Sequence, residues 1–269
     1  MAPMADTERV IGMISGNGIY PETFARAAKA RGVRLVAAAF KGETREDLAA
    51  LVDTMAWFRV GQLGKTIKFF VGEGVTEAVM VGQIAPNNLF DLLPDLRTIG
   101  VLARLKERNA ESLFGAVGDE LQKDGIRLLP ATTFLDDHLP AAGPVCGPKL
   151  DAAALDDAAF GFRIAKETSR LDIGQTVIVR DGTVLAVEAF EGTNACIRRG
   201  GSLGKGKRVK LVKVAKPNQD LRFDVPVVGP DTIRTCAEAG VSAIVVEAGM
   251  TLLLGGEEVA ALCKSHKVA

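Results

Sequence analysis

Residues 10–40 read VIGMISGNGIYPETFARAAKARGVRLVAAAF. Val10 to Ile14 is a short apolar run that ends in Ser15-Gly16-Asn17-Gly18. Pro21-Glu22 then opens a helical pattern carried by Phe24, Ala27 and Ala28 and stopped at Gly32. Val33 to Phe40 follows as a strand. Strand, glycine turn, helix and strand in this order make a βαβ unit, with its loop at the carboxyl end of the first strand. Such a loop offers backbone N–H groups at a helix start to a phosphate or nucleoside. A tight turn that needs glycine for its backbone accounts for the same residues. A dinucleotide site is opposed twice: Pro21 stands where the third glycine of the fingerprint belongs, and Phe40-Lys41 ends the second strand without a ribose-binding carboxylate.

Outward from this unit the alternation continues. Strands are expected over 55–60, 77–81 and 126–129, and helices over 65–70, 98–107 and 112–123, with Gly118-Asp119 inside the last. Gly82-Gln83-Ile84-Ala85-Pro86 ends a strand and so falls on the same rim as Gly16-Asn17-Gly18. Gly64-Lys65-Thr66 imitates the end of a phosphate loop, but Arg59 occupies the position of its earlier glycine. Residues 1–135 therefore read as a Rossmann-like open sheet. Residues 136–159, with Pro140, Pro144 and Pro148 among glycines and alanines, read as a linker. Its Asp136-Asp137-His138 is either a metal-binding or an exposed acidic turn.

Residues 160–269 read as a second α/β domain. A helix is expected over 160–169, and Asp181-Gly182 joins strands 176–180 and 184–188 as a hairpin. The second strand runs into Glu188, Glu191, Gly192 and Thr193 before another helix, a junction suited to anion or metal chemistry. Pro230-Asp231 starts a helix reaching Ala239, strand 241–246 ends in Glu247, and a short strand 252–254 and helix 257–265 close the chain.

The chain has 269 residues, 48% hydrophobic and 25% charged, with formal net charge zero. That supports a real core and predicts no polyanion partner through bulk charge. Four cysteines without CxxC spacing and without a secretory segment in MAPMADTER suggest a reducing, cytoplasmic setting. Two histidines, His138 and His266, are too few for a zinc site or a Ser-His-Asp triad. A bound metal would then be a hard cation held by carboxylates, Mg2+ or Mn2+. No apolar run has membrane-spanning length.

The densest chemistry lies in VKLVKVAKPNQDLRFDVPVVG, residues 209–229. Lys213 interrupts an apolar run; Lys216, Gln219 and Arg222 crowd the loop. Asp224 sits between Phe223 and Val225, where an unpaired charge costs several kcal/mol, roughly, so it is neutralised, paired or metal-bound. Arg198 to Lys216 carries eight basic residues and no acidic one. Nucleic acid is disfavoured as its partner, because no aromatic residue for stacking lies between Phe190 and Phe223. Gly201 to Lys207 matches G-x-x-x-x-G-K in letters only, since Arg208 and a strand follow.

Behind the ISGNGIYPE start, the segments AVEAFEGTNACIRRGG, LVKVAKPNQDLRFDVPVVGPDTI and IVVEAGMTLLL resemble the LpxI-type UDP-2,3-diacylglucosamine pyrophosphatases of lipid A biosynthesis, over nearly the full chain. The one difference noted is Glu120, where an Asp is common. The resemblance implies a Rossmann-like N-terminal domain and a C-terminal α/β domain with the lipid held in a cleft between them. It implies hydrolysis of the pyrophosphate to UMP and 2,3-diacylglucosamine 1-phosphate (lipid X), by attack at the β-phosphorus, with Mg2+ or a similar ion. It places the catalytic carboxylate on Asp224.

Pyrophosphate chemistry also needs cations against the phosphates and a fixed carboxylate. The expected roles follow. Lys213 and Lys216 act with Asp224 in catalysis. Gly16, Asn17, Gly18, Gly82, Gln83, Gly192, Thr193, Arg198, Gln219 and Arg222 bind substrate. Glu188, Asp119, Glu191 and Glu247 join Asp224 as metal ligands. Peripheral contact with the cytosolic face of the inner membrane and a homodimer are compatible with this reading. A non-catalytic nucleotide- or sugar-phosphate-binding regulatory protein is the alternative.

Overall fold

The computed structural model describes residues 9–84, 94–106 and 110–269. Ala85, Pro86 and Glu107 lie outside the described residues. The chain divides into two compact units. One holds the described residues through Leu135 together with Asp220–Asp224; the other holds Asp136–Gln219 and Val225–Ala269.

The first unit is a five-stranded parallel sheet in the order β3-β2-β1-β4-β5. Its strands are β1 (Val10–Ser15), β2 (Arg34–Phe40), β3 (Thr54–Phe58), β4 (Glu77–Val81) and β5 (Arg127–Leu128). β2 is apolar along almost its whole length because both faces of a parallel sheet are covered. On one face Val36, Ala38 and Phe40 meet Ile67 and Phe70 of α2 (Leu63–Gly72) and Leu121 of α4 (Ala110–Lys123). Phe24, Ala25 and Ala28 of α1 (Tyr20–Lys29) are fully buried, and the Tyr20 hydroxyl donates to the Ala131 carbonyl at 2.5 Å. α3 (Leu96–Arg104) begins at an Asp95 cap. That carboxylate also accepts from Gly64 N at 2.7 Å and Lys65 N at 3.2 Å, so one side chain caps two helices.

The second unit is a mixed sheet in the order β10-β8-β6-β7. β10 (Val241–Val246) runs parallel to β8 (Val209–Lys213); β6 (Thr176–Arg180) is antiparallel to β8 and to β7 (Thr183–Val187). The hairpin turn has left-handed backbone at Asp181 (φ 46°) and Gly182 (φ 70°), the pair a two-residue turn requires. α5 (Ala152–Arg170) covers one face through Ala165 against Val177, Val179, Val212 and Val214. α6 (Thr193–Leu203) and α7 (Pro230–Glu238) cover the other, around Ile178, Ile197, Leu211 and Cys236. A two-stranded parallel ribbon, β9 (Val227–Val228) with β11 (Leu252–Leu253), and α8 (Gly256–His266) complete the unit.

The helix expected from Phe160 starts eight residues earlier. Of the residues that read as linker, Ala154, Asp157 and Ala158 sit on its buried stripe with Gly161 and Ala165, and Asp151 caps it through Ala154 N at 2.8 Å. A Cβ on Gly161 would lie 2.6 Å from Val212 Cγ2, so the helix approaches the sheet more closely than a side chain allows.

Candidate functional site

In the first unit, strand order reverses between β1 and β4, the crevice where open α/β sheets bind ligands. The loops leaving these two strands are tied together there. Gly16 N donates to Val81 O and Asn17 N to Gln83 O, both at 2.8 Å, and Gln83 N returns to Asn17 O at 3.3 Å. Glycine is needed at both ends of this bridge. A Cβ on Gly16 would lie 2.3 Å from Gln83 O, and one on Gly82 (φ 89°) 2.6 Å from Asn17 O. Asn17 Nδ2 also donates to Glu43 Oε2 at 2.6 Å, while the Thr44 hydroxyl bonds the Ser15 carbonyl and accepts from Phe40 N. A cavity of about 190 Å³ adjoins, lined among others by Gly16, Gly18, Pro21, Arg26, Thr44 and Arg45. Its arginines are already paired, Arg26 with Glu22 and Arg45 with Asp47.

Asp220–Asp224 completes this unit. Ala131 N donates to Leu221 O at 2.7 Å, and Phe223 packs on Phe114 with ring centroids 5.9 Å apart. Asp224 N bonds Asp220 O at 3.1 Å, closing one helical turn. Asp220 grips Arg222 in a two-point pair, Oδ1 to Nε at 3.0 Å and Oδ2 to Nη2 at 2.7 Å. That bond lowers the Asp220 carboxyl and outweighs desolvation, which works to raise it; Asp220 and then Asp119 hold the Arg222 guanidinium charged. Asp224 is half-buried and Asp119 exposed.

In the second unit, Lys213 at the carboxyl end of β8 is buried on the α6 side of the sheet. Its Nζ donates to Thr193 Oγ1 at 2.9 Å, and that hydroxyl donates to Glu188 Oε1 at 2.7 Å. Gly192 (φ 81°) turns the chain immediately before Thr193, the first residue of α6. Four expected residues, Glu188, Gly192, Thr193 and Lys213, are therefore assembled. Lys216 and Gln219 form their own turn, Lys216 N donating to Gln219 Oε1 at 2.6 Å, and Lys216 Nζ reaches Asp172.

The other expected ligands are engaged elsewhere. Glu191 pairs with Arg199, whose hydrogen bond lowers its carboxyl below the usual range. Both Glu247 oxygens accept from Lys166 Nζ at 2.9 Å, and Glu247 Oε2 accepts Ala215 N at 2.9 Å while Lys166 Nζ also bonds Ala215 O. Arg198 is exposed and lines a depression with Lys205 and Gly240 at the amino edge of the sheet, apart from Lys213 at the carboxyl edge. His138 Nδ1 faces Leu253 O at 3.3 Å within a short 3-10 turn. Among the described residues no three His, Cys, Asp or Glu side chains are grouped to hold a metal ion. What the described residues offer a divalent cation is single carboxylates. That suits Mg2+, which is commonly held by one or two carboxylates with substrate phosphates and water.

Neither Lys166 nor Asp157 is among the residues expected at a site. Lys166 reads as an ordinary surface lysine of an amphipathic helix. Asp157 Oδ2 takes the fully buried Lys210 Nζ at 2.7 Å and Asp181 N at 3.0 Å, and its Oδ1 takes Gly182 N at 2.7 Å. Burial works to raise this carboxyl, and Lys210 with the two amides outweighs it. The alternation of β8 carried the signal: Lys210 shares the α5 face with Val212 and Val214.

A family model of the LpxI N-terminal domain matches residues 10–138, and one of the LpxI C-terminal domain matches 141–269. The UDP-2,3-diacylglucosamine pyrophosphatase LpxI of Caulobacter vibrioides is 32% identical over 266 residues, covering 94% of this chain and 93% of its own. Among solved structures, the biotin carboxylase domain of Hydrogenobacter thermophilus 2-oxoglutarate carboxylase is 14% identical, over 73% of this chain and 41% of that one, with a TM-score of 0.29. A biotin carboxylase subunit of pyruvate carboxylase is 13% identical, over 67% and 38%, with a TM-score of 0.28. Likenesses of that size carry no argument.

Proposed function

This chain belongs to the LpxI family, and from that premise we propose that it is a hydrolase that splits the pyrophosphate of UDP-2,3-diacylglucosamine into UMP and 2,3-diacylglucosamine 1-phosphate. The observation that carries the reading is the seating of FDVPVVG. Phe223 and Arg222 anchor the turn that presents Asp224, so its carboxylate stands on a fixed backbone.

The residues divide the work. Asp224 orients the attacking water and accepts its proton at a carboxylate oxygen. Lys213 supplies a buried positive charge against the phosphates, and Thr193, held by both Lys213 and Glu188, keeps that ammonium in place. Lys216, Gln219 and Arg222 add polar contacts to the substrate. The bridged loops at Gly16-Asn17-Gly18 and Gly82-Gln83 form the rim that takes the nucleotide or sugar, their Gly16, Asn17 and Gln83 amides being spent on holding that rim rigid. Mg2+ or Mn2+ belongs to the proposal with Asp224 as its carboxylate; when bound it offsets charge on phosphoryl oxygens. The lipid substrate calls for peripheral contact with the inner membrane, and no helix among the described residues is long and apolar enough to cross one.

Release of UMP from the lipid nucleotide by the purified chain, with and without Mg2+, tests this directly. Binding without UMP release would favour a regulatory module instead.

A further inference from the structure

The basic run between Arg198 and Lys216 splits in the folded chain. Lys210 is paired with buried Asp157 and Lys213 with Thr193. Arg198, Lys205, Lys207 and Arg208 remain exposed, on α6 and in the loop that enters β8. That loop lies at the amino edge of the sheet, whereas the Lys213 group lies at the carboxyl edge, so these cations have no part in the chemistry assigned above.

The loop is built to present them. Its backbone is left-handed at Lys205 (φ 53°), Gly206 (φ 59°) and Arg208 (φ 52°). It rests on Gly240, where a Cβ would lie 2.5 Å from Gly206 Cα. Leu203, the last residue of α6, is 60% exposed beside them. A depression of about 510 Å³ runs along this face, with Arg198, Ser202 and Lys205 on one side and Glu238 on the other. Outside the depression, Asp181 lies 3.7 Å from Arg208 and is engaged more closely by Arg180, at 3.0 Å.

Clustered cations around one exposed leucine, in a chain of zero formal net charge, form a local field suited to an anionic lipid surface. The absence of aromatic residues from 191 to 222 removes the stacking platform that single-stranded nucleic acid uses. We propose that the face formed by Leu203, Lys205, Lys207 and Arg208 docks the protein on the anionic surface of a phospholipid bilayer. The inference rests on the reading above only in that a lipid substrate gives such docking its purpose.

The test is flotation of the full chain with vesicles of phosphatidylcholine alone and of phosphatidylcholine mixed with phosphatidylglycerol. Binding should require phosphatidylglycerol and fall with added salt. The Lys205→Gln/Lys207→Gln variant should bind about 25-fold more weakly, about fivefold for each cation removed, and Leu203→Ser should also weaken binding. All variants should release UMP from detergent-dispersed substrate at the parent rate, which shows that they are folded. Equal vesicle affinity of parent and double variant would overturn the proposal. So would binding indifferent to phosphatidylglycerol, or tighter binding to single-stranded nucleic acid than to vesicles. Failure of UMP release by the parent would strike the catalytic reading alone, since vesicle binding is read separately.

Discussion

Arg222 Nη1 lies 3.5 Å from the position where a Cβ on Gly118 would stand. The glycine of α4 thus leaves room for the guanidinium that Asp220 holds. A methyl group meets Arg222 at ordinary contact distance, though it crowds Leu128 Cδ2 at 3.3 Å. Gly118→Ala should therefore keep activity and change stability by less than about 1 kcal/mol, since alanine also favours the helix. Gly118→Leu should push Arg222 aside and cut UMP release at least tenfold, roughly the worth of one charge-assisted hydrogen bond. The two variants, compared by UMP release and urea denaturation, check this.

Asp224→Asn preserves the shape of the turn but removes the proposed base. Turnover should fall about 100-fold or more, with substrate affinity by calorimetry little changed. Full activity would remove Asp224 from the proposed role.

Lys213 and Thr193 act as one unit. Lys213→Met should lower kcat/KM by roughly 10- to 100-fold, and Thr193→Val by about tenfold, from the loss of charge-assisted hydrogen bonds. The double variant should cost less than the product of the two single losses. Steady-state kinetics on all three supply the comparison; strictly multiplicative losses would mean that the contact at 2.9 Å is not used.

The buried Lys210–Asp157 pair predicts stability rather than activity. Lys210→Met leaves a carboxylate that is almost wholly enclosed, and should destabilise the protein by about 3–5 kcal/mol in urea denaturation.

Glu120 governs part of the acid response. Its hydrogen bond to Lys123 acts first, then those to Arg97 and Arg104, and together they outweigh burial and hold its carboxyl near about 2. A depressed carboxyl favours the folded state above its unfolded value, about 4.3, and that contribution fades as pH falls toward 2. Glu120→Gln should lower stability at neutral pH, and its difference from the parent should shrink across that interval. Urea midpoints against pH measure it; a constant difference would contradict the assignment.

Much of the fold was legible because periodicity and turn chemistry agree locally. β1 with its glycine loop, β4 and the Asp181-Gly182 hairpin stand where the pattern of residues puts them. The start of α5 was hidden because alanine-rich sequence between prolines looks the same in a linker and in a helix pressed tightly on a sheet. The Glu188–Thr193–Lys213 relay was only half legible. A strand-to-helix junction and a lysine in an apolar strand were visible, but their meeting depends on β8 pairing with β6. Glu247 looked like a ligand at a strand end. Its partner Lys166 lies 81 residues away, and no local pattern announces such a pair.

The excursion of Asp220–Asp224 out of its own half of the sequence has a practical consequence for anyone cutting the gene. A fragment ending near residue 138 carries every strand of the five-stranded sheet yet lacks Phe223, and with it the ring that lies against Phe114. Such a fragment should expose an apolar notch and aggregate. Adding a synthetic peptide that spans Leu221 to Val225 should restore part of its solubility.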